Sequence, residues 1–395
     1  MFKVKLLNNI AERGIETFDR ANYAVSANVE DPDALLVRSA QLRDAQFGGN
    51  LLCIARAGVG TDNIPSQRCT ESGIVVFNTP GANSDAVKEL VLCALLLSSR
   101  DILGGIGYVK SVAGQGGDVP KLVEAEKNSF TGPELAGKTL GVIGLGAVGA
   151  KIANDAARLG MEVFGYDPYI SVDAAWGLRT NIQRAVDLPT LFRGSDYITI
   201  HVPYTDSTHH LINRDAIAQM KDGVRIINLA RAELVNDDDI IAALAAGKVA
   251  KYVTDFPNAK TAGADGVIAL PHLGASTPES EEKCAVMAAI QIADYLENGN
   301  IENSVNLPRV SMPRMPGEPR LTVFHKNIPE MIAKISSTVS AHGINIENMV
   351  SASARGSDVA YTVLDLSGAA SEPELPQLKH NISALESVIR VRVLP

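Results

Sequence analysis

The fold class is decided by residues 138–167, KTLGVIGLGAVGAKIANDAARLGMEVFGYD. A short apolar run from Thr139 to Ile143 is followed by the glycine turn GLGAVG (144–149), a helical pattern and a second apolar run that ends at Asp167. Strand, glycine turn, helix, strand and acid in this order are typical of a dinucleotide-binding βαβ unit. The alternative is an ordinary βαβ unit with small residues at its crossover.

Each glycine of the turn has its own predicted role. Gly144 permits the tight turn, Gly146 lets a pyrophosphate approach the backbone, and Gly149 lets helix and strand pack closely. The free N–H groups at the start of the helix then face the phosphates. Asp167 follows Gly149 by 18 residues. A carboxylate there can bind both ribose hydroxyls and repel a 2′-phosphate, so we expect NAD rather than NADP.

The composition is that of a globular protein with an ordinary core. The chain has 395 residues, of which 46% are hydrophobic and 21% charged, so two or three domains are expected. A formal charge of −9 argues against nucleic acid or an anionic membrane as the main partner. The longest apolar run, residues 90–97, is too short to span a bilayer, and the N-terminal MFKVKLLNN lacks the apolar core of a signal peptide. We expect a reducing cytoplasm, because four cysteines are scattered without a CxxC pair: Cys53, Cys69, Cys93 and Cys284.

Short apolar runs alternate with helical patterns on both sides of the glycine turn. This alternation predicts an α/β fold with two Rossmann-like, doubly wound parallel sheets. One long helix, buried between layers, is predicted over residues 84–100, and the six glycines of 102–118 suggest a mobile or wrapped connection. The predicted strands are residues 4–7, 34–37, 51–55, 74–77, 195–202, 224–229, 251–255 and 267–270.

A cluster of prolines between residues 308 and 319 marks a linker. After it the pattern changes to βαββαβ, which predicts a small ferredoxin-like domain. The predicted domains are a discontinuous substrate-binding domain (1–95 and 280–308), a dinucleotide-binding domain (96–279), the linker (309–319) and the terminal domain (320–395). Because the linker is expected to separate two cores, the terminal domain is expected to be removable.

Candidate chemistry lies at the carboxyl ends of the predicted strands, where α/β sheets bind ligands. Arg231 can hold a carboxylate in bidentate fashion, and His272 can exchange a proton near neutral pH. Together they suit hydride transfer on a 2-hydroxy or 2-keto acid. A buried salt bridge is the alternative for Arg231, and a loop-capping role is the alternative for His272. No metal site is expected, because the pair His209-His210 lacks suitably spaced partners.

These loops resemble the D-isomer-specific 2-hydroxyacid dehydrogenases over residues 1–308. The motifs that carry the resemblance are VRSA (37–40), RAGVGTDNI (56–64), NTPGANSDAVKEL (78–90), GKTLGVIGLGAVG (137–149), GYDP (165–168), NLARAELV (228–235) and PHLGASTPES (271–280). The resemblance implies that Arg231 binds substrate and that His272 is the acid–base. The other implied substrate contacts are Arg56, Ala57, Gly58 and Asn83; for Arg56 a surface salt bridge is the alternative. The implied NAD site is lined by Thr79, Gly144, Gly146, Ala147, Val148, Gly149, Asp167, Val202, Leu229, Ala230, Arg231, Asp255, His272, Gly274 and Ala275.

One departure from the family concerns the glutamate that pairs with the histidine. In the run TDFPNAK (254–260), Ala259 stands where that glutamate is expected. Either another carboxylate, Asp255 being the candidate, serves in its place, or His272 has no charged partner and is less basic.

The terminal domain resembles an ACT domain, a small-molecule sensing module. The resemblance implies an L-serine effector site at His325, Asn327 and Asn345, although Glu330 replaces a glycine that is usual there. With this domain, the expected activity is the NAD-dependent oxidation of 3-phospho-D-glycerate to 3-phosphohydroxypyruvate, the first step of L-serine biosynthesis, in a homodimer or homotetramer. The alternatives are a hydroxypyruvate or glyoxylate reductase and a non-catalytic NAD-sensing protein.

Overall fold

Two parallel sheets, one in each of two units of the chain, confirm the predicted α/β class. The computed structural model describes residues 1–315, 317–354, 356–367 and 374–394. The first unit combines Met1–Ala82 with Glu281–Pro395, and the second is Asn83–Ser280.

The first unit contains a five-stranded parallel sheet in the order β2-β1-β3-β4-β5. Its strands are β1 Phe2–Leu7, β2 Tyr23–Ser26, β3 Ala34–Val37, β4 Cys53–Arg56 and β5 Val75–Phe77. The edge strand β2 was not predicted, because its four residues YAVS are too few and too mixed to stand out as an apolar run. The helices of this part are α1 Glu12–Ile15 and α2 Ser66–Glu71.

The second unit contains a seven-stranded parallel sheet in the order β12-β11-β10-β9-β6-β7-β8. The order reverses at β6, and ligands of such sheets bind at the carboxyl ends of the strands beside this reversal. The strands are β6 Thr139–Ile143, β7 Glu162–Tyr166, β8 Gln183–Arg184, β9 Tyr197–Ile200, β10 Val224–Asn228, β11 Val249–Thr254 and β12 Val267–Ala269. The helices are α3 Ser84–Ser99, α4 Ile102–Val112, α5 Val119–Glu126, α6 Gly149–Arg158, α7 Val172–Trp176, α8 Leu188–Gly194, α9 Arg214–Ala218 and α10 Asp237–Ala245.

The long predicted helix α3 belongs to the second unit. Val87, Val91 and Leu95 lie in one core with residues of α6 and the seven-stranded sheet. The predicted domain boundary at residue 95 therefore falls inside this helix. The helix is not buried all round as predicted, since Leu96 is 43% exposed.

Residues 102–130 form a helical arm, whereas the glycines of 102–118 had suggested a mobile or wrapped connection. The arm consists of α4, a 3-10 turn (Ala113–Asp118), α5 and a second 3-10 turn (Lys127–Phe130). Its glycines are tolerated because Asp101 caps α4 by accepting from the Gly104 N–H (3.1 Å), and because the rings of Tyr108 and Phe130 pack 5.7 Å apart. No single helix among the described residues is long and apolar enough to cross a membrane; only a pair bent by 67°, Ser84–Ser99 and Ile102–Phe130, has the necessary length and composition.

The terminal residues form the predicted βαββαβ domain, with an antiparallel sheet in the order β14-β15-β13-β16. One face of this sheet packs against its two helices through residues such as Leu321, Val323 and Leu364. The elements are β13 Arg320–Lys326, α12 Met331–Ala341, β14 Ile346–Ser353, β15 Val359–Leu366, α13 Glu374–Ser383 and β16 Val388–Leu394.

The other face of the terminal sheet joins the core of the first unit, which differs from the expectation of two separate cores. Phe324, Tyr361 and Val363 of the sheet share one apolar cluster with the five-stranded sheet and with α11, the helix Pro278–Asn298. The terminal domain therefore covers apolar surface that would otherwise meet water.

Side chains from the terminal domain and the preceding segment cap the C-terminal end of α11. The last carbonyl oxygens of a helix have no partner within the helix, yet here the last four of α11 and that of residue 299 each accept a hydrogen bond from a side chain. Arg392 donates to the carbonyls of residues 295 (2.9 Å) and 296 (2.6 Å), and Arg314 to that of 297 (2.9 Å). Arg320 donates to the carbonyl of residue 298 (2.9 Å), and the Tyr361 hydroxyl to that of 299 (2.8 Å). These four side chains are called the helix clamp below.

Arg320 is held in place by a fully buried ion pair. Its guanidinium donates to both carboxylate oxygens of Asp365 (2.6 and 3.1 Å) and also to the carbonyls of Met312 and Pro313. All five N–H groups of the Arg320 guanidinium thus donate a hydrogen bond, as the burial of a charge requires.

Candidate active site

The glycine turn has the geometry that the sequence predicts for a pyrophosphate site. Gly144 has φ +90°, and a Cβ there would lie 2.6 Å from the carbonyl oxygen of His201. A Cβ on Gly149 would lie 1.9 Å from the Gly144 oxygen, whereas a Cβ on Gly146 would meet no described atom within 4 Å. The first and last glycines are therefore required by the fold, and the middle one leaves open space in front of the turn.

Asp167 is fixed at the end of β7 beside a cavity of about 300 Å³. Its two carboxylate oxygens accept from the backbone N–H groups of Leu145 (2.9 Å) and Tyr169 (2.8 Å). The cavity has a mainly apolar lining that also includes Arg184, which suits the adenosine part of a dinucleotide. The acid is thus held where it can meet ribose hydroxyls.

Arg231 is presented by a tight turn at the end of β10. The buried Asn228 side chain shapes this turn: its Nδ2 donates to the Arg231 carbonyl (2.8 Å), and its Oδ1 accepts from the N–H groups of Ala230 (3.2 Å) and Arg231 (3.4 Å). The Arg231 guanidinium donates to the Ala230 carbonyl (2.7 Å) and remains half-buried. Val202 and Leu229, both predicted to line the NAD site, lie at the ends of the neighbouring strands β9 and β10.

Asp255 and His272 lie together beyond the ends of β11 and β12. Asp255 is 1% exposed; its Oδ2 accepts from the Gly274 N–H (3.3 Å), and its Oδ1 has no hydrogen-bond partner among the described residues. Burial raises the pKa of the Asp255 carboxyl, while the charge of His272, the Gly274 N–H and the charge of Arg231 oppose that rise. The Phe256 ring packs on the exposed His272 ring at 4.5 Å. The exposed imidazole can therefore exchange protons with solvent, and the buried Asp255 carboxyl lies close enough for its charge to interact with that of His272.

The turn that carries Ala259 faces another helix. Asn258 donates to Asp237 (2.7 Å) and Lys260 to Asp238 (2.7 Å), both in the first turn of α10. Ala259 itself is exposed. The position of the family's glutamate is thus exposed and carries no carboxylate, and the partnership of Asp255 with His272 stays a prediction.

His201 is unsuited to acid–base work. Its Nε2 bonds the Thr199 hydroxyl at 2.8 Å, and burial lowers the pKa of His201 to about 3.

Several predicted site residues lie in the first unit. Arg56 is the last residue of β4 and donates to the carbonyls of Arg38 (3.0 Å) and Gly60. Ala57 and Gly58 follow it directly. Thr79 is fully buried, and its hydroxyl has no hydrogen-bond partner among the described residues. Asn83 precedes α3 in the second unit, where its side chain makes no capping bond to the helix. Their roles toward substrate and NAD stay predictions.

The three predicted effector residues are engaged within the terminal domain. His325 is 2% exposed; its Nδ1 faces the Lys326 carbonyl (2.8 Å), so its Nε2 accepts from the Thr362 hydroxyl (2.9 Å). Asn327 donates to the carbonyl of residue 357 (3.1 Å) and Asn345 to the carboxylate of residue 347 (2.8 Å). Glu330 has φ +68°, a left-handed conformation that glycine adopts more easily.

No local pattern reveals what the residues behind the site contribute. Asn228 stands in the motif NLARAELV at the end of a predicted strand, whereas Tyr252 and Thr254 lie within a predicted strand and Phe256 follows it. A polar residue directly before an exposed strand end was the only available signal for Asn228. Among the described residues there is no group of three or more His, Cys, Asp or Glu that could hold a metal ion.

The chain is similar to known dehydrogenases in sequence and in structure. The family model "D-isomer specific 2-hydroxyacid dehydrogenase, NAD binding domain" matches residues 109–274. A hydroxypyruvate reductase of Thermotoga maritima is 39% identical over 65% of this chain and 83% of its own length. A D-3-phosphoglycerate dehydrogenase of Methanocaldococcus jannaschii is 35% identical over 79% of this chain, which spans 59% of that protein.

Among solved structures, an NAD⁺-bound 3-phosphoglycerate dehydrogenase of Entamoeba histolytica aligns with a TM-score of 0.60 and 26% identity. The alignment covers 77% of this chain and 98% of the other. The chain therefore belongs to the D-isomer-specific 2-hydroxyacid dehydrogenases, with NAD as its cofactor.

Proposed function

We propose that this protein oxidises 3-phospho-D-glycerate to 3-phosphohydroxypyruvate with NAD, the first step of L-serine biosynthesis. The observation that supports an oxidation of this class is the grouping of Arg231, Asp255 and His272 beyond the ends of β10, β11 and β12. Oxidation of a 2-hydroxy acid requires a cation that binds the substrate's carboxylate. It also requires a proton acceptor, which a neighbouring carboxylate of the protein can support.

Each side chain has one task in the proposed reaction. NAD, when bound along the glycine turn and Asp167, supplies the acceptor for the hydride that leaves C2 of the substrate. Arg231 binds the substrate carboxylate and polarises the C2 oxygen. His272 accepts the hydroxyl proton as the C2–O bond becomes a carbonyl. In the reverse direction His272 returns that proton to the oxygen.

Asp255 stabilises the positive charge that His272 acquires. Its carboxyl is buried and close enough for its charge to interact with that of His272. An opposite charge nearby favours the protonated imidazole. Asp255 thus takes the part expected of the glutamate whose place Ala259 occupies.

The choice of a phosphorylated substrate rests on the relatives and the terminal domain. D-3-phosphoglycerate dehydrogenases of two archaea are each 35% identical over more than three quarters of this chain. The Thermotoga relative, a hydroxypyruvate reductase, supports the second candidate, reduction of hydroxypyruvate with NADH.

The deciding measurement is kcat/KM for three acids with the same preparation. Preference for 3-phospho-D-glycerate over D-glycerate with NAD supports the proposal, whereas preference for hydroxypyruvate with NADH supports the second candidate. If the protein binds NADH but turns over none of the three acids, the result supports a non-catalytic NAD-sensing protein.

We infer that the helical arm is the surface through which a second copy binds. Within residues 102–130, all of which are described, no residue is buried. Four apolar side chains nevertheless share one face of α4, with exposures of 37–49%: Ile102, Leu103, Ile106 and Val109. An exposed apolar row of this kind is typical of a surface covered by a partner. The Ile106→Glu variant should sediment as a smaller species than the wild type.

The terminal domain is proposed as the site of an L-serine effector. Because both ring nitrogens of His325 are bonded inside the domain, serine must reach Asn327 and Asn345 without using that imidazole. Calorimetry with L-serine tests this; absence of both heat and inhibition at millimolar serine would remove the effector role.

A further inference from the structure

The side-chain amide of Asn228 is buried and uses its whole hydrogen-bonding capacity. Asn228 is the last residue of β10 and is 0% exposed. Its Nδ2 donates to the carbonyl of Arg231 (2.8 Å) and to the hydroxyl of Tyr252 (3.4 Å). Its Oδ1 accepts from the backbone N–H groups of Ala230 (3.2 Å) and Arg231 (3.4 Å). An amide can donate two bonds and accept two, and three of the four here end on the turn that carries Arg231.

A single peptide group connects this amide to the Arg231 guanidinium. The peptide group between Ala230 and Arg231 is rigid and planar. Its N–H donates to Asn228 Oδ1, and its carbonyl oxygen accepts from Arg231 Nη1 (2.7 Å). The peptide plane that Asn228 holds therefore also carries the acceptor that holds the guanidinium.

The chain beyond this turn is held by other contacts. The His210 N–H donates to the carbonyl of Glu233 (2.9 Å), and the Asn236 N–H donates to the carbonyl of Ile212 (2.8 Å). Neither bond involves Asn228. Loss of the Asn228 amide should therefore release residues 229–231 and leave residues 233–236 in place.

We propose that Asn228 is a positioning residue that directs the Arg231 guanidinium at the carboxylate of the substrate. The proposal rests on the role given to Arg231 under the proposed function. A guanidinium binds a carboxylate in bidentate fashion only when the two planes are aligned, and small displacements of such a group are costly to catalysis. The amide thus acts on the substrate through Arg231 without contacting it.

The first test compares Asn228→Ala with the matched control Asn306→Ala. The Asn306 amide also bonds the backbone at both ends, since its Oδ1 accepts from the Val76 N–H (2.8 Å) and its Nδ2 donates to the Ile74 carbonyl (2.9 Å). Both variants should melt at a lower temperature than the wild type. Only Asn228→Ala should raise KM for the acid, by roughly tenfold, the factor expected for one weakened hydrogen bond to a charged group.

Two further measurements accompany this comparison. NADH binding, followed by fluorescence, should change little, because the proposed cofactor contacts lie mostly at the glycine turn and Asp167. If Asn228→Ala does not fold, Asn228→Ser replaces it. A serine hydroxyl keeps one polar group at this position but is too short to hold both sides of the turn, so KM should rise in this variant as well.

The second test asks whether Asn228 acts through Arg231. Binding of 3-phospho-D-glycerate to the NADH-bound protein is measured by calorimetry, because two reduced partners cannot react. Asn228→Ala should weaken this binding roughly tenfold, as it does KM. In an Arg231→Lys background it should have hardly any further effect, since lysine keeps the charge but lacks the planar fork that Asn228 directs. D-glycerate takes the place of the phosphorylated acid if the wild type prefers it.

Either of two outcomes overturns the proposal. One is a folded Asn228→Ala or Asn228→Ser protein whose KM for the acid matches that of Asn306→Ala. The other is an equal loss of acid binding with arginine and with lysine at position 231. Failure of the proposed function has a different signature, namely turnover in Arg231→Ala and His272→Ala that matches the wild type.

Discussion

His272 is the residue on which the proposed chemistry depends most directly. Replacing it by alanine removes the proton acceptor, so kcat should fall by about 10² to 10⁴, the usual contribution of a positioned acid–base group. The imidazole is exposed and packs on the Phe256 ring, so stability and NADH binding should hardly change. Single-turnover kinetics and NADH titration check this; an active variant would place the proton transfer elsewhere.

The protonation of the Asp255 carboxyl should make the stability of the protein depend on pH. Because burial raises the pKa of the Asp255 carboxyl in the folded protein above its ordinary value of about 3.8, folding disfavours the charged form. The resulting destabilisation is absent below about pH 3.8, where the carboxyl is protonated in both states, and grows as pH rises from there towards the raised pKa. Asp255→Asn should therefore gain stability over the wild type as pH increases from 3.5 to 7. Thermal unfolding of both across this range is the measurement, and a difference that is constant or shrinks would contradict it.

At the scale of elements, different glycines of the turn are expected to serve NAD binding and folding. Gly146→Ala places a Cβ in open space in front of the turn, so it should leave stability unchanged but weaken NADH binding. Gly149→Ala is the matched control, because its Cβ would lie 1.9 Å from the Gly144 oxygen. That clash should lower the melting temperature. Equal effects of the two variants on melting would refute the division of roles.

Features set by neighbouring residues could be predicted at this scale, and features set by distant ones could not. The turn at 144–149, Asp167 and the alternation of strands and helices are local patterns, so they were predicted. The arm was missed because its glycines outweighed its helical spacing. The contact between the Asn228 side chain and the Tyr252 hydroxyl depends on the register of two strands, which no local pattern reveals.

For the whole molecule, the helix clamp makes the terminal domain part of the first unit. Arg392 is 8% exposed and donates to two carbonyls at the end of α11. Arg392→Met should lower the free energy of unfolding by about 2 kcal/mol, the typical cost of losing charged hydrogen bonds. Arg309→Met is the control, because its ion pair with Glu302 is exposed and should contribute under about 1 kcal/mol. Urea unfolding of both decides; equal effects would mean that the clamp is not a stabilising contact.

The sequence could not predict that the terminal domain shares the core of the first unit. In the sequence, the arginines of the clamp look like ordinary surface charges, and the prolines before residue 320 look like a spacer. Deletion of residues 320–395 should consequently unmask the Phe324–Tyr361 side of the shared core and leave the first unit poorly folded. Hydrogen exchange should show lost protection in β1–β5 and retained protection in β6–β12. Unchanged protection in β1–β5 would restore the view of a removable domain.

The shared core also sets the order in which the chain can fold during its synthesis. Val4 of β1 and Val363 of β15 lie in the same cluster. The N-terminal residues, which are synthesised first, therefore cannot complete their core until residues near the C-terminus have been synthesised. Residues 83–280 are continuous and complete once the ribosome has passed them. The middle of the chain should thus acquire its native structure before the beginning. Nascent chains stalled near residue 310 should resist protease across the dinucleotide-binding unit while their first 80 residues are still digested.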